Sequence, residues 1–418
     1  MTIDSEKWIE SLPKEWSITK IGNHFKCRNE KVNDTDYPPL SVAKQGVVPQ
    51  IETVAKTDAN DNRKLVLMND FVINSRSDRK ESCGLSKLNG SVSLINHVLY
   101  QNGQNYYMPF VGILFKNYGF AEEFYRWGHG IVADLWTTRW QEMKNIEIPL
   151  PPLKEQKLIF DFLTNRTSKI DQLISNQEKQ IEKLKEYRQA IITKAVTKGL
   201  DPNAPMKDSG VEWIGEIPTL WDYTNTKYLF SVIAGGTPNT DDSENFDGNV
   251  IWITPADYKT EDVYVSKGKR NLSDKGLSSC SASKVPVGSI IFSKRAPIGS
   301  VAINSVPLCT NQGCLSCVSN KVNLNTKYFY YVMSILTEKY ELLGSGTTFK
   351  EISAKNFGMV KLPYPPRNEQ DIIVKYLDSK CEKIKFLIKI KESKIQSLQA
   401  YKQSLIYEYV TGEKRVSL

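Results

Sequence analysis

The stretch Pro149-Leu-Pro-Pro-Leu-Lys-Glu-Gln156 decides the fold, because it returns 214 residues later as Pro363-Tyr-Pro-Pro-Arg-Asn-Glu-Gln370. The similarity continues without a gap over 49 aligned pairs, of which about 19 are identical. Self-similarity over this length indicates repeated structural units. The chain therefore consists of two related halves in tandem.

A second repeat precedes each copy of this stretch. Trp8 and Trp16 correspond to Trp213 and Trp221, and these pairs lie 205 residues apart. Since the offset grows from 205 to 214, the second half is 9 residues longer between the tryptophans and the proline stretch. Length variation is therefore confined to the middle of each half.

Length and composition predict a multidomain protein. At typical domain sizes, the 418 residues correspond to about two to four domains. No apolar run approaches the roughly 20 residues of a membrane span, and the first residues are acidic and polar, so we expect a cytoplasmic protein without a membrane partner. Seven scattered cysteines predict free thiols in a reducing compartment. The net charge of +8 suits a polyanionic partner, but its distribution matters more than its sum.

Both copies of the repeated stretch lead into a predicted long helix. Apolar residues three and four apart, without Pro or Gly, predict helices from Leu153 to Lys198 and from Arg367 to Thr411. Proline is tolerated in a first helical turn, and Glu155 and Glu369 place a carboxylate near the positive end of each helix dipole. At 1.5 Å per residue each helix is a rod of about 70 Å.

Each predicted helix carries one apolar seam with a heptad period. A polar residue interrupts both seams at the same place, Gln177 in the first helix and Lys391 in the second. Such a residue usually determines register at a cost in stability. The apolar members of the two seams are Leu163, Ile170, Ile174, Ile181, Leu184 and Ile191, and Leu377, Ile384, Ile388, Ile395, Leu398 and Leu405.

A long rod with one apolar seam needs a partner. The alternative is that each helix folds back on its own domain, but a domain of about 140 residues has a radius near 14 Å and would leave most of the rod uncovered. Antiparallel pairing of the two helices buries both seams. The predicted fold class is therefore α+β, with two tandem α/β domains separated by two long antiparallel coiled-coil helices with pseudo-twofold symmetry.

The candidate binding residues lie where short apolar strands end. Asp70-Phe-Val-Ile-Asn-Ser-Arg76 and Ser289-Ile-Ile-Phe-Ser-Lys-Arg295 are matching strands with a basic tip. Arginine reads guanine edges in DNA, whereas lysine and backbone amides mostly contact phosphate. A solvated strand end explains either arginine alone equally well, but the recurrence favours binding to nucleic acid. By proximity or charge, the other candidates are Arg79, Lys80, Arg139, Lys294, Thr347 and Lys350.

Two glycine-containing segments are predicted to be exposed loops. They are Gly344-Ser-Gly-Thr-Thr-Phe-Lys350 and Gly235-Gly-Thr-Pro238. Their amides suit the approach of a nucleic-acid backbone, and ordinary turns explain them equally well.

Three cysteines offer a rival reading of the second half. Cys309, Cys314 and Cys317 have the spacing of three ligands of a plant-type iron–sulfur cluster, but a suitably placed fourth cysteine is missing. Residues 306–318 also read as a strand, in which cysteines pack as small apolar residues. We therefore predict no metal site.

Two sequence features together resemble the specificity subunits of type I restriction-modification enzymes. One is Pro-Pro-x-x-Glu-Gln at the start of a long helix, twice. The other is Gly199-Leu-Asp-Pro-Asn-Ala-Pro-Met-Lys-Asp-Ser-Gly-Val-Glu-Trp-Ile-Gly-Glu-Ile-Pro218 between the halves. The resemblance covers essentially the whole chain, although the variable domains resemble the family only generically.

The resemblance implies a division of labour along the chain. Residues 1–145 and 223–358 would be target-recognition domains, each reading one half of an asymmetric bipartite DNA sequence. Residues 146–198 would be the first spacer helix, 199–222 the linker and start of the second half, and 359–418 the second spacer helix and tail.

The resemblance also implies partners and cofactors outside this chain. The partners would be double-stranded DNA and two modification subunits that methylate adenine with S-adenosylmethionine. In complexes that also cut DNA, two restriction subunits would use ATP and Mg. No cofactor is expected on this chain itself.

The sequence lacks the motifs of a chain that performs such chemistry itself. It has no Asn/Asp-Pro-Pro-Tyr/Phe loop, since Tyr37-Pro-Pro-Leu40 lacks both the polar and the stacking residue, and no Gly-x-x-x-x-Gly-Lys-Ser/Thr. The histidines His24, His97 and His129 are predicted to be surface or packing residues. The predicted function is therefore a non-catalytic DNA specificity subunit, and the alternative is a DNA-independent coiled-coil assembly scaffold. An enzyme with an unrecognised site is the least favoured class.

Overall fold

Turn residues divide the middle of each half into short apolar runs, and in the computed structural model these runs pair as β-sheets. The chain forms two compact units, residues 1–178 with 391–418 and residues 179–390. Each unit contains part of both long helices, whereas the boundaries drawn from the sequence separate helices from domains and stay predictions. The structure describes residues 8–9, 12–50, 61–76, 79–130, 136–346 and 350–416.

Antiparallel sheets and an aromatic core build the first unit. Its strands are β1 (Ser17–Lys20), β2 (Phe25–Cys27), β3 (Lys31–Val32), β4 (Leu40–Ala43), β5 (Gly46–Pro49), β6 (Arg63–Val66), β7 (Phe71–Asn74), β8 (Cys83–Leu85), β9 (Gly90–Ser93), β10 (Asn96–Gln101) and β11 (Glu147–Leu150). Its helices are α1 (Ile21–His24), α2 (Met108–Leu114), α3 (Tyr118–Arg126), α4 (Trp140–Met143) and the first part of α5 (Leu153–Lys198). The central sheet has the order β2-β10-β7-β8, and Phe71 of β7 packs with Phe110, Phe115 and Phe120 in the core.

The second unit repeats this plan with a larger sheet. Its strands are β12 (Met206–Asp208), β13 (Glu216–Pro218), β14 (Asp222–Asn225), β15 (Phe230–Ala234), β16 (Phe246–Val250), β17 (Trp252–Ile253), β18 (Tyr264–Val265), β19 (Ile290–Ser293), β20 (Val301–Asn304), β21 (Cys309–Thr310), β22 (Cys314–Ser319) and β23 (Lys361–Tyr364). Its helices are α6 (Thr226–Leu229), α7 (Asp274–Ser278), α8 (Thr326–Ser334), α9 (Thr337–Leu343), α10 (Ala354–Gly358) and part of α11 (Arg367–Val410), besides the end of α5. The main sheet has the order β15-β22-β19-β20-β18 and covers a core that includes the buried Tyr328 and Tyr340.

The two predicted long helices are confirmed. Helix α5 has 46 residues and begins and ends at the predicted positions, and α11 has 44 residues and ends one residue before the predicted Thr411. Each of the twelve apolar seam residues is buried or half-buried. None of the helices in the described part of the chain combines the length and the apolar character that a membrane span requires.

Within the first unit, the portions of α5 and α11 run antiparallel. Asp171 accepts a hydrogen bond from Lys402 at 2.6 Å, and the rings of Phe162 and Tyr409 lie 4.7 Å apart. Residue numbers therefore rise along one helix in the direction in which they fall along the other. The two polar seam residues meet: Lys391 Nζ lies 3.4 Å from Gln177 Oε1. The interruption that the sequence places in both seams is therefore a single cross-helix pair.

In the second unit, the end of α5 lies beside the start of α11. Ile192, Ala195 and Val196 of α5 share one hydrophobic core with Ile373 and Leu377 of α11. The antiparallel direction predicted for the helices therefore holds in this unit as well.

The repeated tryptophans and glutamates pair with each other in both units. The indole of Trp16 donates a hydrogen bond to Glu155 Oε2 at 2.9 Å, and that of Trp221 donates to Glu369 Oε2 at 2.5 Å. Since each glutamate lies in the first turn of a long helix, the bond attaches the preceding tryptophan segment to the helix start. The repeat thus preserves a tertiary contact as well as a favourable charge at the helix dipole.

The glutamine that ends each Pro-Pro-x-x-Glu-Gln motif is fully buried. Gln156 donates to the backbone oxygens of Pro151 and Asn105 and accepts from the backbone N–H of Tyr107 at 2.7 Å. Gln370 likewise donates to Pro365 O at 2.8 Å and accepts from Asn325 N at 2.9 Å. The amide therefore links the start of each long helix to its domain, which a shorter or apolar side chain cannot do.

Two local predictions in the second unit are wrong. Gly235 and Gly236 are buried rather than exposed, and a Cβ on Gly235 would lie 2.1 Å from Asn311 O, so these glycines permit close packing of backbones. The stretch 306–318 is two strands, β21 and β22, because a turn at residues 312–313 interrupts it.

Candidate nucleic-acid interface

Each unit presents a basic residue at the end of a buried strand. In the first unit, the three apolar residues of β7 are buried, and Arg76 is exposed two residues after the strand ends. In the second unit, all four residues of β19 are buried, and Lys294 and Arg295 follow directly. The buried strand fixes the backbone, so the basic side chains leave each sheet from a rigid base.

The two strand tips occupy the same backbone arrangement. Arg76 forms an antiparallel bridge with Thr137, which in turn bridges His129. Arg295 forms the matching bridge with Glu351, which bridges Ser345. This correspondence supports the pairing of Arg76 with Arg295 that the sequence suggested.

An equivalent backbone hydrogen bond holds each strand tip. Thr138 N donates to Ser75 O at 3.1 Å, and Ile352 N donates to Lys294 O at 3.0 Å. Thr138 also binds His97, whose Nε2 donates to its carbonyl at 2.8 Å. The histidine therefore supports the first tip from within the core.

The structure gathers the four basic candidates of the first unit at one end of the central sheet. Arg79 donates its backbone N–H to Arg76 O at 3.2 Å, so both lie in one turn, and Arg139 follows directly on the segment that bridges Arg76. All four side chains are exposed, and Lys80 forms an ion pair with Glu122 at 2.9 Å. Their assignment to DNA contact stays a prediction.

In the second unit, Lys294 and Arg295 share one carboxylate. Glu351 Oε1 lies 2.7 Å from Lys294 Nζ, and Glu351 Oε2 lies 2.6 Å from Arg295 Nε. Lys350 is exposed beside them, and Thr347 lies outside the described residues. Burial alone would raise the pKa of the Glu351 carboxyl, but the hydrogen bonds from the two cations outweigh it and lower that pKa. Glu351 is therefore an anion at neutral pH.

Sequence reasoning missed Glu351 and Thr137 as members of the two tips. Both precede a fully buried residue, Ile352 or Thr138, and both lie at the end of a segment that returns to the strand tip. The sequence offered one local indication, because Glu351 directly follows Lys350, the last residue of the glycine-containing segment 344–350. Pairing with a strand more than fifty residues away is not visible in the sequence.

Two of the three histidines and the three closely spaced cysteines are packing residues. His24 and His97 are buried and hydrogen-bonded, whereas His129 is exposed. The three closely spaced cysteines lie in three different hydrophobic clusters, which argues against a shared metal: Cys309, Cys314 and Cys317. Over the described residues, no three His, Cys, Asp or Glu side chains are grouped as metal ligands would be.

Comparison with known proteins gives a consistent result. The family described as "Type I restriction modification DNA specificity domain" matches residues 137–183 and 218–400, together more than half of the chain. A protein described as the MjaX specificity subunit of a type I restriction enzyme, from Methanocaldococcus jannaschii, is 32% identical over 284 residues, which are 66% of this chain and 61% of that protein. The MjaIX specificity subunit of the same organism is 37% identical over 175 residues, 40% of each chain. The chain thus spans about three fifths and two fifths of these relatives.

A solved structure shows that the fold extends over nearly the whole chain. It comes from work described as "Structural basis underlying complex assembly and conformational transition of the type I R-M system" and superposes with a TM-score of 0.73. The match covers 97% of this chain and 100% of that chain at 17% sequence identity. At that identity the likeness concerns the fold.

Proposed function

This chain belongs to the family of type I restriction modification DNA specificity domains, and from that premise we propose that it is the sequence-reading subunit of a type I restriction-modification complex. Each unit binds one half of an asymmetric bipartite target in double-stranded DNA. The observation that carries the proposal is the recurrence of Arg76 and Arg295 at the same bridged strand tip. An arginine on a rigid strand end suits bidentate recognition of a base edge.

The chemical difference between the tips supports an asymmetric target. The first tip combines Arg76 with Thr137, a neutral hydroxyl, and the second combines Lys294 and Arg295 with the carboxylate of Glu351. Different sets of donors and acceptors read different base edges. The common frame and the differing tips therefore fit a protein that reads two unlike half-sites.

The chemistry of the complex belongs to its partners. Two modification subunits dock on this chain and methylate adenine in each half-site with S-adenosylmethionine, and two restriction subunits with ATP and Mg join in complexes that also cut DNA. The chain itself is non-catalytic and carries no cofactor, and the complex works in the cytoplasm. Helices α5 and α11 act as the spacer that sets the gap between the half-sites.

The proposal is tested by mapping methylated adenines. Long-read sequencing compares DNA from cells that express the neighbouring modification subunit with and without this chain. We expect a split motif that appears only when the chain is present. Stable co-purification with no new methylation would instead favour the DNA-independent scaffold.

Substitutions then assign each half of the motif. Arg76→Gln should abolish or relax the first half only, and Arg295→Gln the second half only. Lys87→Gln and Lys267→Gln are matched controls, because they remove one exposed positive charge from the same units. Loss of both halves by either arginine variant, or equal effects of the controls, would contradict the assignment.

A further inference from the structure

Glu351 lies between the two cations of the second strand tip. Its carboxylate binds Lys294 Nζ through one oxygen and Arg295 Nε through the other, at 2.7 and 2.6 Å. The Lys294 side chain is 15% exposed, that of Glu351 30% and that of Arg295 44%. The carboxylate and the lysine therefore form a partly covered base, and the guanidinium is the member that reaches solvent.

The backbone gives this group little freedom. Lys294 N donates to Gly313 O at 2.9 Å, and Lys294 O accepts from Ile352 N. Glu351 exchanges two hydrogen bonds with Ser345, each of 3.0 Å. Both backbone segments that carry these charged side chains are held by hydrogen bonds. The carboxylate therefore has a defined position and restricts the orientation of the Arg295 guanidinium.

The matching tip of the first unit lacks this carboxylate. Thr137 occupies the position of Glu351, and Ser75 occupies that of Lys294, so Arg76 is the charged member of these three matching positions in the first tip. At the same three positions the second tip has two positive charges and one negative charge, and the sum is again +1. Since the sum at these positions is equal, the acid and the extra lysine change the orientation and the donor set rather than the net charge there.

The contact with Glu351 leaves one edge of the guanidinium for a ligand. It uses Nε, and the Nη1–Nη2 edge is a second pair of parallel donors. Such a pair fits the two acceptors of a guanine edge in the major groove. A phosphate oxygen that approached Lys294 and Arg295 from the side of Glu351 would meet a like charge a few ångströms away, which is unfavourable.

We propose that Glu351 is a specificity-determining residue of the second unit, which orients Arg295 toward a base edge and keeps phosphate away from the Lys294–Arg295 pair. The inference rests on the DNA-reading function proposed above. It predicts that removal of the carboxylate trades selectivity for general affinity. A residue with only a structural role would lower both.

The test measures DNA binding by the complex of this chain with its modification subunit. Four DNA duplexes are compared. One carries the mapped motif, one has its first half replaced, one has its second half replaced, and one has random sequence. The variants are Glu351→Gln and Glu351→Thr, the latter introducing the residue of the matching position. Glu338→Gln is the control, because Glu338 is an exposed glutamate of α9 in the same unit.

In both Glu351 variants we expect discrimination at the second half-site to fall about tenfold, which lies in the lower half of what one bidentate base contact contributes. Affinity for the random duplex should rise, and its dependence on salt should steepen by about one unit of slope for one added phosphate contact. Discrimination at the first half-site should stay at the wild-type level and thereby reports that the chain is folded.

Unchanged discrimination and salt slope would overturn the inference, and so would an equal loss at both half-sites, which indicates a structural defect. If the wild-type complex itself does not prefer the mapped motif over the random duplex, the proposed function fails as well. The two failures are thus distinguishable from the wild-type binding alone.

Discussion

Replacing the buried motif glutamines tests how each long helix is attached to its domain. Gln156→Ala removes two donated hydrogen bonds and one accepted one, whereas Gln370→Ala removes one of each. Both side chains are fully buried, so the groups left behind have limited access to water. The two substitutions should therefore destabilise their own units to different extents.

The expected magnitude follows from the number of groups that lose a partner. A buried polar group without a partner costs about 1–3 kcal/mol, and partly buried groups lie at the lower end. The loss should be about 3–5 kcal/mol for Gln156→Ala, with three such groups, and about 2–4 kcal/mol for Gln370→Ala, with two. In a unit of roughly 200 residues, 3 kcal/mol lowers the melting temperature by about 6–12 °C.

The assay combines denaturant unfolding with hydrogen exchange read by mass spectrometry, which reports each unit separately. Gln172→Ala is the control, because Gln172 is exposed on α5 and the substitution brings the same change in helix propensity. Exchange should increase around residues 105–107 and 151–156 in the first variant and around residues 325 and 365–370 in the second. A difference of less than about 0.5 kcal/mol from the control would refute the reasoning.

Three further outcomes are expected. Gly235→Ala should destabilise the second unit, because the added Cβ would lie 2.1 Å from the backbone oxygen of Asn311. Thermal unfolding measures this loss, and an unchanged melting temperature would contradict the prediction. Burial lowers the pKa of His97, and likewise that of His24, so both stabilise the fold above the ordinary histidine pKa near 6.5 and lose that contribution as the pH falls through their lowered values. Unfolding free energy measured between pH 7 and 5 should thus decline, and less steeply in a His97→Phe variant; parallel profiles would contradict this. Inserting one heptad in both long helices should widen the gap of the methylated motif by about three base pairs, since seven residues add about 10 Å and a base-pair step is about 3.4 Å; altered half-sites would exclude a spacer role.

The long helices were predictable because their signal is local and periodic. The apolar seam residues, from Leu163 in α5 to Leu405 in α11, recur with a heptad period, and Pro and Gly are absent between the predicted ends. The sequence also predicts that Arg76 corresponds to Arg295, because their strands share a pattern of apolar residues and a basic end. These features depend on neighbours in the sequence, so no knowledge of the tertiary structure was needed.

The failures concern contacts between distant residues. The sequence predicts an exposed loop at Gly235, because glycine beside Thr and Pro is typical of turns, but in the fold this glycine permits the close approach of residues 310 and 311. The sequence of residues 306–318 predicts one strand, since its apolar residues do not reveal that a turn divides it.

By itself, the sequence determined that this protein has two equivalent halves, two long helices and a basic tip in each domain, because repeats and periodicity are properties of neighbouring residues. Only the tertiary structure decided what those residues contact. It pairs Gln177 with Lys391, places Glu369 under Trp221, and brings Glu351 to Arg295 across more than fifty residues. Such contacts depend on how the chain brings distant segments together through its loops and packs its strands. Many different sequences can bring the same segments together.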